Sequence, residues 1–161
     1  MPRHEEGFSL IELLIVVAII LIIAAIAIPS LISSRIAANQ ASAIQSLRVL
    51  GTSEVTYSAI YGGGYSPTLA ALGPVPAGAV ANTSAAGLID DLLASGYKSG
   101  YVFTYTPTLL DATGQYDGYV FLANPQVVGI SGIDYYYEDE THLIRMNTTA
   151  QAGSTDSCVA Q

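Results

Sequence analysis

The chain has 161 residues, of which 51% are hydrophobic and only 11% are charged, and its formal net charge at pH 7 is −8. This length allows one modest domain beyond a long helix. Nucleic-acid binding is disfavoured, because phosphate contacts need clustered lysine and arginine, and we expect no direct nucleic-acid partner.

The first predicted element is an apolar helix near the amino terminus. Residues 10–28 contain one polar side chain, Glu12. A helix needs about 20 mostly apolar residues to cross the hydrocarbon core, so residues 8–29 are predicted to span a membrane. A charged side chain at the bilayer centre costs about 2.5–3.5 kcal/mol on insertion scales, and less near a helix end. A cut between Gly7 and Phe8 would create an ammonium one helical turn before Glu12, on its own chain or a neighbour's.

The amino-terminal residues resemble the class III signal of type IV pilins and pseudopilins. Gly7, Phe8 and Glu12 carry the resemblance, followed by the apolar run and Pro29. The resemblance implies that residues 1–7 are a leader peptide, that a prepilin peptidase cuts after Gly7, and that Phe8 becomes the N-methylated amino terminus. It implies that Glu12 and Pro29 act in assembly between copies of the chain.

A conventional signal peptide is the alternative interpretation of the same segment. Ala25, Ile26 and Ala27 form a small-x-small sequence after an apolar core, where a cut would release a soluble exported protein. Such signals have a basic amino end and an apolar core of about 7–15 residues. The acidic residues before the run, the interruption at Glu12 and the length of the run disfavour this alternative.

Pro29 marks the exit from the apolar segment. Because proline lacks an N–H and clashes with the preceding turn, we expect a kink or local unwinding there. The helix then continues as an amphipathic half over residues 30–61, whose apolar side chains form one stripe, with Arg48 and Glu54 largely off it. The stripe comprises Ile36, Ala43, Leu47, Leu50, Tyr57 and Tyr61. Three glycines at residues 62–64 end the helix.

The rest of the chain is predicted to be a connection, a sheet and a tail. Residues 62–99 form a loop rich in glycine, proline and alanine, with a short amphipathic helix over residues 87–95. Residues 100–147 form an antiparallel sheet, and the helical stripe covers one face of it, which gives an α+β fold class. The four predicted strands cover residues 100–106, 118–123, 133–138 and 142–146. Residues 148–161 are expected to be a flexible tail.

The only cysteine, Cys158, lies in this predicted tail and excludes an intrachain disulfide. We interpret a lone thiol among polar residues as incidental, with an intermolecular bridge as the alternative.

The order of long kinked helix, loop and antiparallel sheet is similar to the type IVa pilin fold. Residues 88–96, together with 98–101 and Phe103, resemble pilins of acidobacteria and related soil bacteria. The resemblance implies a structural subunit of a surface filament for adhesion and twitching motility, held beforehand in the bacterial inner membrane. The implied partners are other copies of the chain, the prepilin peptidase, and an inner-membrane assembly platform with its motor. A pseudopilin of a type II secretion system is the alternative.

No enzymatic site, metal site or cofactor is predicted. His4 lies in the leader and His142 in a predicted strand, so no histidine pair suits a metal. A Ser-His-Asp set around His142 would be a chance match among the many serines. The sequence also contains an acidic cluster of Asp134, Glu138, Asp139 and Glu140. Calcium could bind such carboxylates, but their spacing fits no defined loop, and a solvated hairpin turn over residues 138–141 is favoured.

Overall fold

The computed structural model describes residues 8–159 and begins with one long helix, α1, over Leu10–Tyr61. The chain divides into two compact units, one up to Arg35 and the other from Ile36 onward. Helical structure is continuous across Pro29, so the helix is not unwound at that residue. Within residues 8–159, α1 is the one helix long and apolar enough to cross a membrane, by length and composition.

The first unit exposes its apolar side chains. The large aliphatic residues from Leu10 to Ile32 are 46–81% exposed. Water is a poor solvent for so much contiguous apolar surface, since burial of each square ångström is favoured by about 25 cal/mol. This half of α1 therefore requires lipid or other protein around it.

The second unit combines the remainder of α1 with two short helical turns and a six-stranded sheet. The turns are a 3₁₀ helix over Leu69–Leu72 and α2 over Asp91–Ala94. The strands are β1 (Tyr97–Lys98), β2 (Tyr101–Leu110), β3 (Tyr116–Pro125), β4 (Tyr135–Asp139), β5 (Arg145–Asn147) and β6 (Ser157–Cys158). Each strand pairs antiparallel with the next, in sequence order.

One face of this sheet is covered by the predicted stripe of α1. Leu47 and Leu50 of the helix are completely buried, as are Tyr119 and Phe121 of β3, which follow the two-residue period of a strand. Leu93 of α2 belongs to the same core. The predicted α+β architecture of a long helix on an antiparallel sheet is confirmed.

The sheet has two more strands than predicted, one at each end. The expectation of a flexible tail is wrong for its described part, because β6 pairs with β5 and the Val159 N–H donates to the Ile144 carbonyl at 2.8 Å. A polar two-residue strand has no apolar alternation, so its pairing was not visible in the sequence. The predicted short helix is confined to α2, which Asp90 caps by accepting from the Leu93 N–H at 2.8 Å.

Candidate assembly site and buried carboxylates

The predicted assembly residues lie in the first unit, along α1. Phe8 is 83% exposed and precedes the helix, and Glu12 lies in its first turn. Gly7 lies outside the described residues. Pro29 is 17 residues beyond Glu12, roughly 25 Å along a helix, so the structure does not bring these two together. The Pro29 carbonyl accepts a hydrogen bond from the Ser33 hydroxyl at 3.2 Å.

Ser9 and Glu12 form a reciprocal cap at the start of α1. Glu12 Oε2 accepts a hydrogen bond from the Ser9 N–H at 3.0 Å, and Ser9 Oγ accepts from the Ile11 N–H at 3.4 Å. This is a variant of the capping box in which the serine oxygen bonds the N–H two residues on, and it satisfies backbone donors that a helix start leaves without partners. Ser9 was missed in the sequence analysis, although the spacing of Ser9 and Glu12 is the signal for this motif.

The position of Glu12 suits a negative charge, because the helix macrodipole stabilises an anion in the first turn. The ion pairs described within residues 8–159 join Lys98 to Asp90 and His142 to Glu138, and neither involves Glu12. An exposed carboxylate beside exposed aliphatic side chains can bind a cation that approaches through an apolar surrounding, where screening by water is weak.

A second carboxylate, Glu54, is completely buried on α1 and fastens the loop that follows the helix. Its two oxygens accept from Ser66, one from the N–H at 2.8 Å and one from the hydroxyl at 2.7 Å. Tyr105 donates its hydroxyl to the Ser66 carbonyl at 2.5 Å. Burial raises the pKa of Glu54, and the hydrogen bonds from Ser66 oppose that shift. The expectation that Glu54 lies off the buried face is wrong. The carboxylate can be buried because the loop after the helix supplies Ser66 as its hydrogen-bond donor.

A third carboxylate, Glu138 of β4, has a side chain only 2% exposed. Burial, with a smaller effect of the Asp139 carboxylate, raises the pKa of Glu138 to about 8, and Arg48 opposes that shift. Glu138 shares a strand face with buried Tyr136, and Gly51 of α1 leaves space for its carboxyl group. The prediction of a solvated turn is therefore wrong at Glu138 and at Asp139, which is 8% exposed.

Glu138 and His142 border a cavity of about 310 Å³, which Arg48 and Cys158 also line. His142 Nδ1 lies 3.7 Å from Glu138 Oε1 and 3.2 Å from the Tyr119 hydroxyl. Among the residues that line this cavity there is no serine, so the Ser-His-Asp combination is not assembled here. In the described part of the chain, no three or more His, Cys, Asp or Glu side chains form a group that could hold a metal ion.

Comparison with known proteins shows what the amino-terminal segment is similar to. Residues 2–28 match the family described as the prokaryotic N-terminal methylation motif. A stretch of 37 residues is 60% identical to the type IV wide pilus major component PilA4 of Thermus thermophilus, and it covers 23% of this chain and 28% of that protein. The match thus spans less than a third of that relative's length. No solved structure matches the chain significantly.

Proposed function

We propose that this chain, which carries the class III signal and the α+β fold of the type IV pilin and pseudopilin family, is the structural subunit of a type IV pilus. The observation that carries the proposal is a single carboxylate, Glu12, in the first turn of a helix half whose large aliphatic side chains are all exposed. Such a surface is stable only when lipid or other helices cover its aliphatic side chains and a cation pairs with the carboxylate.

Processing supplies that cation. A prepilin peptidase cuts after Gly7, and the new amino terminus, Phe8, is N-methylated, which keeps its positive charge. Glu12 already accepts from the Ser9 amide through Oε2, so the ammonium of a neighbouring copy binds at Oε1. The charge pair forms in an apolar bundle, where its attraction is stronger than in water, and it sets the axial register between copies.

Assembly moves the apolar half of α1 from lipid into a bundle of identical helices. Leucine, isoleucine, valine and phenylalanine each favour the bilayer by about 0.3–0.6 kcal/mol, so passage through water is costly. Exchange of one apolar surrounding for another is nearly neutral, which allows an inner-membrane assembly platform and its motor to drive the process. Head-to-tail contacts that do not close into a ring produce an open helical filament.

Pro29 contributes to assembly by weakening one turn of α1. It lacks the N–H that would bond to the Ala25 carbonyl, so that turn holds fewer hydrogen bonds than its neighbours. We infer that the helix can bend or unwind there when copies pack together in the filament. The proposed location is the bacterial inner membrane before assembly and the cell surface afterwards.

A pseudopilin of a type II secretion system is the second candidate, because the same amino-terminal motif serves both kinds of filament. The relative in Thermus thermophilus is named as a pilus component, which favours the pilus. A conventionally secreted domain cut near Ala27 is the third candidate. It is disfavoured because it gives the capped start of α1 no function.

Immunogold electron microscopy of intact cells tests the proposal. Long surface fibres that bind antibodies against residues 36–159, and that disappear when the gene is deleted, are the expected result. Cells that lack such fibres but lose secretion of exported enzymes on deletion would identify the pseudopilin instead. A soluble form of the chain in the medium would identify the secreted domain.

A further inference from the structure

A small cavity in the second unit, which we call the tyrosine cavity, lies beside the end of α1. Four tyrosines line it, from α1, from the loop that follows α1 and from the start of β3: Tyr57, Tyr61, Tyr65 and Tyr116. In the described part of the chain, none of the residues that line it is charged, and Thr83 and Gln115 are among them. Its volume is about 210 Å³. Pockets for drug-sized ligands measure about 300–1,000 Å³, so this cavity fits one small chemical group.

The lining of the tyrosine cavity is held in place by contacts within the second unit. The Tyr57 hydroxyl donates a hydrogen bond to the Thr83 carbonyl at 2.8 Å. The ring centroids of Tyr57 and Tyr61 are 4.8 Å apart, a contact distance for aromatic side chains. The Tyr65 N–H donates to the Tyr116 carbonyl at 2.7 Å, which joins the loop to β3. The lining is thus ordered before a ligand arrives, which lowers the entropy cost of binding.

Carboxylates lie near the tyrosine cavity, although none lines it within the described chain. Glu54 accepts a hydrogen bond from the N–H of Ser66 at 2.8 Å, and Ser66 directly follows Tyr65. Burial raises the pKa of the Tyr65 hydroxyl, and three carboxylates raise it further. These carboxylates belong to Glu140, Glu54 and Asp117. The electrostatic potential at the cavity is therefore negative, which favours a positively charged ligand.

We propose that the tyrosine cavity binds the headgroup of a quaternary ammonium compound. A cation within about 6 Å of the centre of an aromatic ring is attracted to the ring face, and aromatic cages bind quaternary ammonium groups in this way. The four tyrosines supply the rings for such a cage. The nearby carboxylates add to the attraction without contacting the ligand. Every lining residue belongs to the second unit, so binding does not require the chain to assemble.

A quaternary ammonium is favoured over a lysine or arginine side chain because it has no N–H groups. A primary ammonium or a guanidinium carries several N–H donors, which need acceptors when they leave water. Within the described residues, no carboxylate lines the cavity to accept them. A sugar ring is the other small ligand that tyrosine, threonine and glutamine side chains can bind, but it carries no charge to match the negative potential.

The test is equilibrium dialysis of radiolabelled choline against the full chain in a polyoxyethylene detergent, which contains neither choline nor sugar. The neutral analogue of choline, in which carbon replaces nitrogen, has nearly the same shape and isolates the contribution of the charge. We expect saturable binding of choline, and binding of the analogue that is about tenfold weaker. No saturable binding of choline, or equal affinity for the analogue, overturns the proposal. Displacement of choline by glucose at equal concentration also overturns it and assigns the cavity to a sugar.

Substitutions at Tyr61 test whether an aromatic ring binds the cation. Tyr61→Leu removes a ring from the cavity and should weaken choline binding by about three- to tenfold, whereas Tyr61→Phe keeps the ring and should bind as the wild type does. Tyr97→Leu is the matched control, because Tyr97 is 56% exposed on β1 and does not line the cavity. If near-ultraviolet circular dichroism shows that Tyr61→Leu is unfolded, Tyr116→Leu takes its place. Equal losses in Tyr61→Phe and Tyr61→Leu would assign binding to the hydroxyl and contradict the proposal.

A substitution at Asp117 tests the contribution of the nearby carboxylates. Asp117→Asn should weaken choline binding by about twofold at low ionic strength, and added salt should remove the difference. Asp91→Asn is the control, since Asp91 is also an exposed carboxylate but is not among those that raise the pKa of Tyr65. Asp91→Asn should bind choline as the wild type does. Equal choline affinity in Asp117→Asn and the wild type at low ionic strength would overturn the assignment of a cation to this cavity.

Discussion

Glu12 accepts a hydrogen bond from the backbone N–H of Ser9 at 3.0 Å, three residues before it in the same chain. The carboxylate therefore has a local role, as the cap of α1, in addition to the proposed role between copies. A cap needs an acceptor oxygen but no charge, whereas a pair with an ammonium needs the charge. The two roles can be separated by substitution.

Glu12→Gln keeps an oxygen that can accept from Ser9 and removes the charge, while Glu12→Ala removes both. We expect both variants to be processed after Gly7 and both to lose filament yield by about tenfold or more, which corresponds to about 1.4 kcal/mol. The measurement is the amount of sheared filament per cell, normalised to the processed chain in the membrane.

Ser9→Ala is the matched control, because it removes the capping hydroxyl but leaves the backbone N–H at that position and the charge of Glu12. Loss of a capping side chain costs about 0.5–2 kcal/mol of helix stability, and filament yield should stay near that of the wild type. If Glu12→Gln assembles normally and only Glu12→Ala fails, the cap explains the carboxylate and the charge pair is wrong.

Glu138 makes the second unit less stable as pH rises. Its folded-state pKa is about 8, above the ordinary 4.5, so between these values the unfolded chain releases a proton that the folded chain retains. The free energy of unfolding then falls by up to about 1.4 kcal/mol per pH unit through this window and levels off above pH 8. Glu54, whose pKa is also raised, contributes in the same direction.

Glu138→Gln should flatten this dependence. The midpoint of thermal unfolding, followed by near-ultraviolet circular dichroism of the tyrosines in detergent, is expected to fall less between pH 5.5 and pH 8.5 in the variant. Asp90→Asn serves as the control, because hydrogen bonds from Lys98 and from the Leu93 N–H hold the pKa of Asp90 below its ordinary value. Its loss should leave the wild-type slope between pH 5.5 and pH 8.5 unchanged. Identical slopes in Glu138→Gln and wild type would show that Glu138 ionises normally in the folded chain.

Glu54→Ala should destabilise the second unit strongly. The N–H of Ser66 loses its acceptor, and the Ser66 hydroxyl keeps only the Thr68 carbonyl at 3.2 Å. A buried unsatisfied group costs about 1–3 kcal/mol. Gln45→Ala, at an exposed position of the same helix, should change stability by no more than about 0.5 kcal/mol. The comparison is made by the same circular dichroism, and a Glu54→Ala midpoint within error of Gln45→Ala would contradict the anchoring role.

The parts of the fold that could be predicted are those that local periodicity determines. The spacing of Leu47 and Leu50 on α1 and of Tyr119 and Phe121 on β3 is set by the helix and strand geometry alone, so the helix-on-sheet arrangement was visible. The burial of Glu54 was not visible, because it depends on a tertiary contact with Ser66 across the end of the helix.

The residues of the candidate site likewise fall into those that a local sequence motif predicts and those that depend on tertiary contacts. The residues around Glu12 form a contiguous motif, and even the cap by Ser9 could have been found from its spacing. Glu138 was assigned to a solvated turn because charged residues are usually exposed, and only the packing of β4 against Gly51 buries its side chain. Its burial depends on residues 87 positions apart in the chain, which no local pattern records.

The central claim is that Glu12 becomes half of a charge pair whose other half is created by the cut after Gly7. The most direct measurement is mass spectrometry of the amino-terminal peptide from filaments sheared off the cell surface. The account predicts a peptide that begins at Phe8 with one methyl group on its amine. A filament chain that retains residues 1–7, or a chain recovered only as a form that begins at Ile28, would contradict it.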